Sequence, residues 1–309
     1  MRIAVVGAGG VGGYFGARLA QGGHDVVFIA RGAHLAAMRA GGLRVESPLG
    51  DIQLSPVSAT DDPVGVGKVE LVLVAVKDWQ LEEALGAIRP LVGPETAVLP
   101  LLNGVEAADR LAEALEGDRV VAGLCGIVAR IEAPGHVVHA GGKTFIRLGE
   151  RDNLLTPRVE RIRDSFATAE VEADIAPDID EALWQKLLFI APTSGVGAAA
   201  GATFGMMRTL PELRRLVDRA MRETRSVGQA LGVALGDTHL RTALGLLEAA
   251  PVESTTSMAR DVQAGRPSEL EAQTGAVVRL AARSGTPVPV NEVLYACLLP
   301  RERRARGEL

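Results

Sequence analysis

Three glycines near the amino terminus have the spacing that most directly implies chemistry. Gly7, Gly9 and Gly12 fit G-x-G-x-x-G, directly after the apolar run Ile3-Ala4-Val5-Val6 and before a helical stretch, Tyr14 to Gln21, closed by Gly22-Gly23. The first glycine of such a pattern permits a tight strand-to-helix turn, the second lets backbone approach a pyrophosphate, and the third lets helix pack on strand. The helix that follows offers unpaired N–H groups and a partial positive charge to phosphate. Gly7, Gly9, Gly10, Val11 and Gly12 are therefore the expected cofactor-binding turn. A glycine-rich segment can be only a turn, but strand before and helix after is the setting that dinucleotide binding requires.

The second candidate lies about twenty residues on. Asp25 to Ala30 reads as a buried strand that ends at Arg31. A carboxylate at that place would accept from the ribose 2′-hydroxyl of NAD, whereas an arginine accommodates a 2′-phosphate. Asp25 is at the wrong end of the strand to substitute, so the expected cofactor is NADP(H). Two further strands end in polar residues, Val69 to Val76 at Lys77 and Thr96 to Leu102 at Asn103. Ligands of open α/β sheets bind beyond the carboxyl ends of strands, so Arg31, Lys77 and Asn103 are expected to converge on one crevice.

Later in the chain Lys186 sits in Leu183-Trp-Gln-Lys-Leu-Leu-Phe-Ile190, apolar on nearly every side. Only four of the 33 basic residues are lysines, which makes this one conspicuous. Either it snorkels from a helix edge, or its ammonium faces the cleft between domains with a pKa lowered by partial burial. Glu269 opens a helix after Ser268, a candidate N-cap, and by itself reads as a first-turn acid favoured by the helix dipole. Ser254-Thr-Thr-Ser257 is either a capping segment or the hydroxyl-lined wall of a site. The five histidines, His24, His34, His136, His139 and His239, fall in loops, turns or helix starts without metal-ligand spacing, and no metal is expected.

Composition bounds the partners. The chain has 309 residues, 47% hydrophobic and 23% charged, with a net charge of −5. That is a globular protein long enough for two domains, without a basic surface for nucleic acid. The Arg301 to Arg306 run reads as a short solvated tail. Cys125 and Cys297 form no C-x-x-C and read as small core residues. No signal peptide or membrane-spanning run is visible, so a cytoplasmic protein is expected, with no membrane partner. The sequence leaves a homodimer open.

The elements that must carry these residues fall into two kinds. Up to Ala176 strands and helices alternate. A hairpin is expected across Pro48 to Asp51, helices over Leu81–Ile88 and Glu106–Leu115, and late strands over Val120–Ala129 and Thr144–Leu148 joined through Pro134-Gly135. From Asp178 helical periodicity takes over: Ile179–Ile190, Pro211–Leu231, Thr238–Leu247, Glu269–Arg283 and Asn291–Leu299. The Gly- and Ala-rich stretch from Gly195 to Gly205 suggests close helix packing. The expected fold is α/β, a Rossmann-type, doubly wound, mainly parallel sheet over residues 1–176, followed by an all-helical domain over residues 177–309.

The whole chain resembles the ketopantoate reductase family, NADPH-dependent 2-dehydropantoate 2-reductases. The resemblance rests on Gly7-x-Gly9-x-x-Gly12, Arg31, Lys77-x-Trp79-Gln80, Asn103-Gly104 and Trp184-x-Lys186-Leu187. It continues through Ser257-Met258, Asp261, Gly265-Arg-Pro-Ser-Glu269-Leu-Glu271 and Pro287-x-Pro289-x-Asn291. It implies that Arg31, Lys77 and Gln80 hold the adenosine 2′-phosphate and that Asn103 lies near nicotinamide and substrate. It further implies that Lys186 is the proton donor, that Ser257 contacts the substrate carboxylate, and that Glu269 completes the active site. The small-molecule partner would be a 2-oxo acid.

Some positions depart from that pattern. Asparagines four and eight residues after the lysine, and three before the serine, are replaced by Ile190, Ser194 and Ser254. Losing amide partners for a hydroxylated substrate costs selectivity. The expected activity is NADPH-dependent reduction of 2-dehydropantoate to pantoate, with another branched or apolar 2-oxo acid as the alternative. A non-catalytic NADP-binding sensor is a lesser one.

Overall fold

The computed structural model describes residues 1–115 and 118–309 and divides into two compact units. The first comprises Met1–Leu102 and Ala107–Ile179, the second Asn103–Glu106 and Asp180–Leu309.

The first unit opens with β1 (Arg2–Val6), α1 (Gly10–Gln21), β2 (Asp25–Ile29), α2 (Gly32–Gly41), β3 (Leu43–Glu46) and β4 (Ile52–Leu54). It continues with β5 (Ser58–Thr60), α3 (Pro63–Val66), β6 (Leu71–Val74), α4 (Leu81–Ile88), β7 (Ala97–Pro100) and α5 (Ala107–Leu115). It closes with β8 (Ala122–Gly126), β9 (Ala129–Ala133), β10 (His136–His139), β11 (Phe145–Gly149), α6 (Pro157–Thr168) and β12 (Glu172–Ile175).

Five strands form a parallel sheet in the order β5-β2-β1-β6-β7. Its central strands are continuous apolar runs because both faces are covered, and every residue of β6 and β7 is buried. Helix α1 packs so closely that a Cβ on Gly16 would come within 2.5 Å of the Phe28 ring. Tyr14 and Phe15 meet edge to face at 5.3 Å in the same core.

Beyond β7 a parallel bridge from Val98 to Val120 touches the edge of this sheet, and the later strands pair in two others. A second sheet runs β4-β3-β10-β9 and a third β12-β11-β8. The segment expected as one strand over Val120–Ala129 is therefore two, β8 and the start of β9. Pro134-Gly135 turns the β9–β10 hairpin instead of joining β8 to β11, and His136 and His139 lie within a strand. The hairpin expected across Pro48 to Asp51 is present as β3–β4, with Leu43 opposite Leu54.

The second unit is helical: α7 (Ile179–Ala200), α8 (Phe204–Thr209), α9 (Pro211–Ala230), α10 (Asp237–Ala249), α11 (Ser257–Gln263), α12 (Ala276–Ser284) and α13 (Pro289–Arg306). Helix α7 runs ten residues past its expected end, through Pro192 and the glycines. Close packing is the reason: a Cβ on Gly197 would meet Met207 Cε at 2.8 Å, and one on Gly195 would meet Leu294 Cδ1 at 3.3 Å.

Helix α13 is also longer than its apolar pattern, so the run from Arg301 to Arg306 is helical, with Arg301, Arg303 and Arg304 exposed. Glu302 is buried on α13 and pairs with Arg306 one turn on. Cys297 is exposed on α13, unlike Cys125, which is buried in β8. Among the described residues no helix is long and apolar enough to cross a membrane.

Candidate functional site

In the first unit the turn after β1 has the geometry that its glycines imply. Gly7 has φ of 97°, and a Cβ there would lie 2.8 Å from the Ala75 backbone. A Cβ on Gly12 would meet the Gly7 carbonyl oxygen at 2.1 Å, so helix and turn touch. Gly9 differs, because the space around its Cβ position is open to 4 Å. It is the N-cap of α1, has no side chain to cap the helix, and is followed by no acid in the first turn. Approachable backbone, unfilled N–H groups and no competing carboxylate are what a pyrophosphate needs, so the turn fits a dinucleotide. Gly10 and Val11 begin α1, where a Cβ on Gly10 would meet the Ala129 carbonyl oxygen of β9 at 2.6 Å.

Arg31 is the N-cap of α2, two residues beyond β2. Its guanidinium reaches Glu83 on α4, with Nη1 donating to Oε1 and Nη2 to Oε2 at 3.4 Å. Lys77 precedes a 3₁₀ turn, Asp78–Gln80, that leads into α4, and its Nζ lies 5.7 Å from the Trp79 ring centroid. Gln80 Oε1 accepts from the Lys77 backbone N–H at 3.2 Å. That bond fixes the carboxamide, leaving its NH₂ as the end that can donate to an anion. Strand β6 ends at Val74, so Lys77 belongs to the turn and not to the strand terminus.

The other candidates lie in the second unit, Asn103 among them, although it follows β7 in sequence. Asn103 Nδ2 donates to Glu269 Oε2 at 2.8 Å. Gly104 makes the approach possible: its φ is 100°, and a Cβ would collide with the Ala272 carbonyl oxygen at 2.6 Å. Glu269 is 4% exposed and does not open an α-helix as expected. It precedes a π-helical turn, Glu271–Gly275, closed by Gly275 N–H donating to the Leu270 carbonyl at 2.8 Å. Such turns are uncommon and recur at functional sites.

Ser268 only partly acts as the expected cap. Its hydroxyl accepts from Leu270 N–H at 3.3 Å but donates to Glu302 Oε2 at 2.5 Å. Both Glu302 oxygens also accept from the Ser268 N–H at 3.0 Å. Glu302 had no signal in sequence beyond one acid among arginines.

Lys186 is partly buried on α7, between Trp184 and Leu187 of an apolar cluster that includes Ala191, Val227 and Val277. Ile190, one turn on, packs against the same cluster, and Ser194, two turns on, is 1% exposed. Ser257 is the first residue of α11, capped by Thr256 Oγ1, which accepts from Ala259 N–H at 3.2 Å. Thr256 thus supplies the cap, and the Ser257 hydroxyl lies in the first turn.

The structure joins Asn103 to Glu269 and Lys77 to Gln80, and it pairs Arg31 with a carboxylate that the sequence did not single out. Three histidines of the first unit have lowered pKa values, His24, His34 and His139, each mainly through burial. Among the described residues no three His, Cys, Asp or Glu groups could hold a metal ion.

A parallel sheet with an open glycine turn, followed by a helical unit in which a half-buried amide holds a buried acid, defines a Rossmann-type oxidoreductase with a helical carboxyl-terminal unit. The chain belongs to the ketopantoate reductase family, whose members are nicotinamide-dependent oxidoreductases acting on CH–OH/C=O groups. The family model "Ketopantoate reductase PanE/ApbA" matches residues 3–153, and its C-terminal counterpart matches residues 178–302. A 2-dehydropantoate 2-reductase of Mesorhizobium japonicum is 30% identical, covering 96% of each chain. The crystal structure of the 2-dehydropantoate 2-reductase from Geobacter metallireducens is similar with a TM-score of 0.91 and 32% identity, over 97% of this chain and 99% of that one. The PanE/ApbA family ketopantoate reductase from Ralstonia eutropha gives 0.89 and 33%, over 99% and 100%.

Proposed function

We propose that the protein reduces a small 2-oxo acid to the 2-hydroxy acid with NADPH, and that the leading substrate is 2-dehydropantoate, giving pantoate. The observation that carries the reading is the Asn103–Glu269 hydrogen bond, which unites a half-buried amide with a buried carboxylate 166 positions away. Gly7, Gly9, Gly10, Val11 and Gly12 would hold the pyrophosphate. Arg31, Lys77 and the Gln80 amide would hold the 2′-phosphate, and Asn103 would stand near the nicotinamide. The bound cofactor supplies hydride to the substrate carbonyl carbon.

Lys186 donates a hydrogen bond to the carbonyl oxygen and delivers its proton as negative charge develops there. Placing a donor where charge appears is worth about 3–4 kcal/mol at the transition state. Partial burial among Trp184 and Leu187 strengthens that interaction by excluding water. Ser257 donates its hydroxyl to the substrate carboxylate. Glu269, held by Asn103, orients the polar groups around the substrate.

A second substrate, a branched or apolar 2-oxo acid, is favoured by Ile190. Its side chain shares the helix face of Lys186 and packs with an apolar cluster, so this position offers no amide to a substrate hydroxyl. NADPH oxidation followed by absorbance across a panel of 2-oxo acids tests both readings. The expected result is turnover of 2-dehydropantoate with a higher kcat/KM than 2-oxoisovalerate. The reverse order selects the second reading, and turnover of no 2-oxo acid refutes the reductase.

A further inference from the structure

Resting on the NADPH reading, we propose that Glu83 is a cofactor-selectivity residue: its carboxylate competes with the 2′-phosphate of NADPH for the Arg31 guanidinium. Arg31 stands where a dinucleotide fold reads the adenosine ribose, two residues past β2 and at the start of α2. No side chain caps α2, so its first N–H groups reinforce the same anion-binding position. Both terminal nitrogens of the guanidinium nevertheless turn to Glu83 in the first turn of α4, fork against fork.

The neighbouring acids are committed elsewhere. Arg110 pairs with Asp78 at 2.7 Å and with Glu82 at 3.0 Å. Arg31 and Glu83 are 66% and 64% exposed, so their bond exchanges readily with water or a competing anion.

A ribose 2′-phosphate presents the same oxygen geometry to the guanidinium with nearly twice the charge. To seat it on Arg31, Glu83 must let go, and the carboxylate left nearby repels the phosphate. NADH has a hydroxyl at that position and meets neither penalty. A carboxylate at this end of the fold can itself accept from a ribose hydroxyl. Glu83 therefore narrows the NADPH preference that Arg31 creates.

The test is fluorescence titration of NADPH and NADH onto the full chain, its Glu83→Gln and Arg31→Ala variants, and the double variant. Glu83→Gln is expected to tighten NADPH about three- to tenfold, in the range of an exposed ion pair plus a lost like charge. NADH affinity stays unchanged or falls, and the NADPH gain shrinks with added salt. In the Arg31→Ala background most of the gain disappears, because no guanidinium remains to release. If Arg31→Ala weakens NADPH selectively but Glu83→Gln fails to tighten it, Glu83 is a surface partner only and the inference is overturned while the cofactor reading stands. If Arg31→Ala weakens both cofactors equally, Arg31 is not at the phosphate, and both fall together.

Discussion

Asn103 and Glu269 are joined by a 2.8 Å hydrogen bond from amide nitrogen to carboxylate oxygen, within the second unit. The bond reaches back from a buried carboxylate to the short segment Asn103–Glu106, which follows the last strand of the parallel sheet. Arg279 strengthens the attachment by pairing with Glu106 at 2.8 Å and Glu271 at 2.9 Å.

Removing the amide exposes what it does. Asn103→Ala takes a donor from a carboxylate that is 4% exposed, and is expected to cost about 1–3 kcal/mol of stability. Urea denaturation measures the loss, and kcat falls in the same variant because Glu269 loses the amide that orients one of its oxygens. An unchanged midpoint would mean that Glu269 is satisfied by its other surroundings.

Lys186 is the most exposed point of the proposed mechanism. Lys186→Ala should lower kcat about a hundredfold or more, as loss of a positioned acid does. Affinity for NADPH should change little, since the glycine turn and Arg31 belong to the first unit. Lys186→Arg should rescue poorly, because guanidinium keeps its proton and has a different shape. A near-normal kcat in folded Lys186→Ala leaves only a lysine snorkelling from an apolar helix.

Glu302 predicts a stability effect where sequence suggested none. Its buried carboxylate accepts from the Ser268 N–H, the Ser268 hydroxyl and Arg306 Nε. Glu302→Ala is expected to cost about 3–5 kcal/mol, since removing one member strands the rest of a buried charged network. Glu302→Gln, which keeps an acceptor for Ser268, should lose less. Thermal denaturation of the two variants side by side distinguishes this from an ordinary surface position, where neither would matter.

His139 predicts the sign of an acid effect. Its Nε2 lies 3.1 Å from the Gly141 carbonyl and must donate to it, so in the neutral ring Nδ1 accepts from the Ser47 hydroxyl at 2.9 Å. Burial lowers the pKa below the ordinary 6.5, so the unfolded chain binds the proton more readily than the folded one. Its stabilising contribution is complete above 6.5. It declines as the pH falls through the interval down to the lowered folded value. His34, accepting from the Gly135 N–H at 3.1 Å, and His24 shift in the same direction. Denaturation midpoints below pH 6.5 should depend less on pH in His139→Asn than in the parent; an equal slope would remove His139 from the effect.

The glycine turn was legible because its constraints are local. A positive φ at Gly7 and the contact of Gly12 with the Gly7 carbonyl follow from a strand turning at once into a helix. The alternation of apolar runs and helical periods likewise made the parallel sheet and the change to helices readable. Periodicity ends α7 at Ile190 because Pro192, Gly195 and Gly197 are poor helix formers by propensity. Burial from Ala191 to Ala198 overrides them, since small residues there let Met207 and Leu294 close in.

Sequence by itself thus determined the glycine turn, the alternation of strands and helices that gives way to helices alone, and which rare polar residues stood in apolar settings. Pairing was decided by tertiary structure alone. Nothing within a few positions of Arg31 points to Glu83, nothing near Glu269 points to Asn103, and nothing in the run from Arg301 to Arg306 marks Glu302 as buried beneath Ser268. Each of these partners is 34 or more residues away. Periodicity reports which face of an element is apolar, whereas the partner of a charge depends on which distant element the packed chain sets beside it.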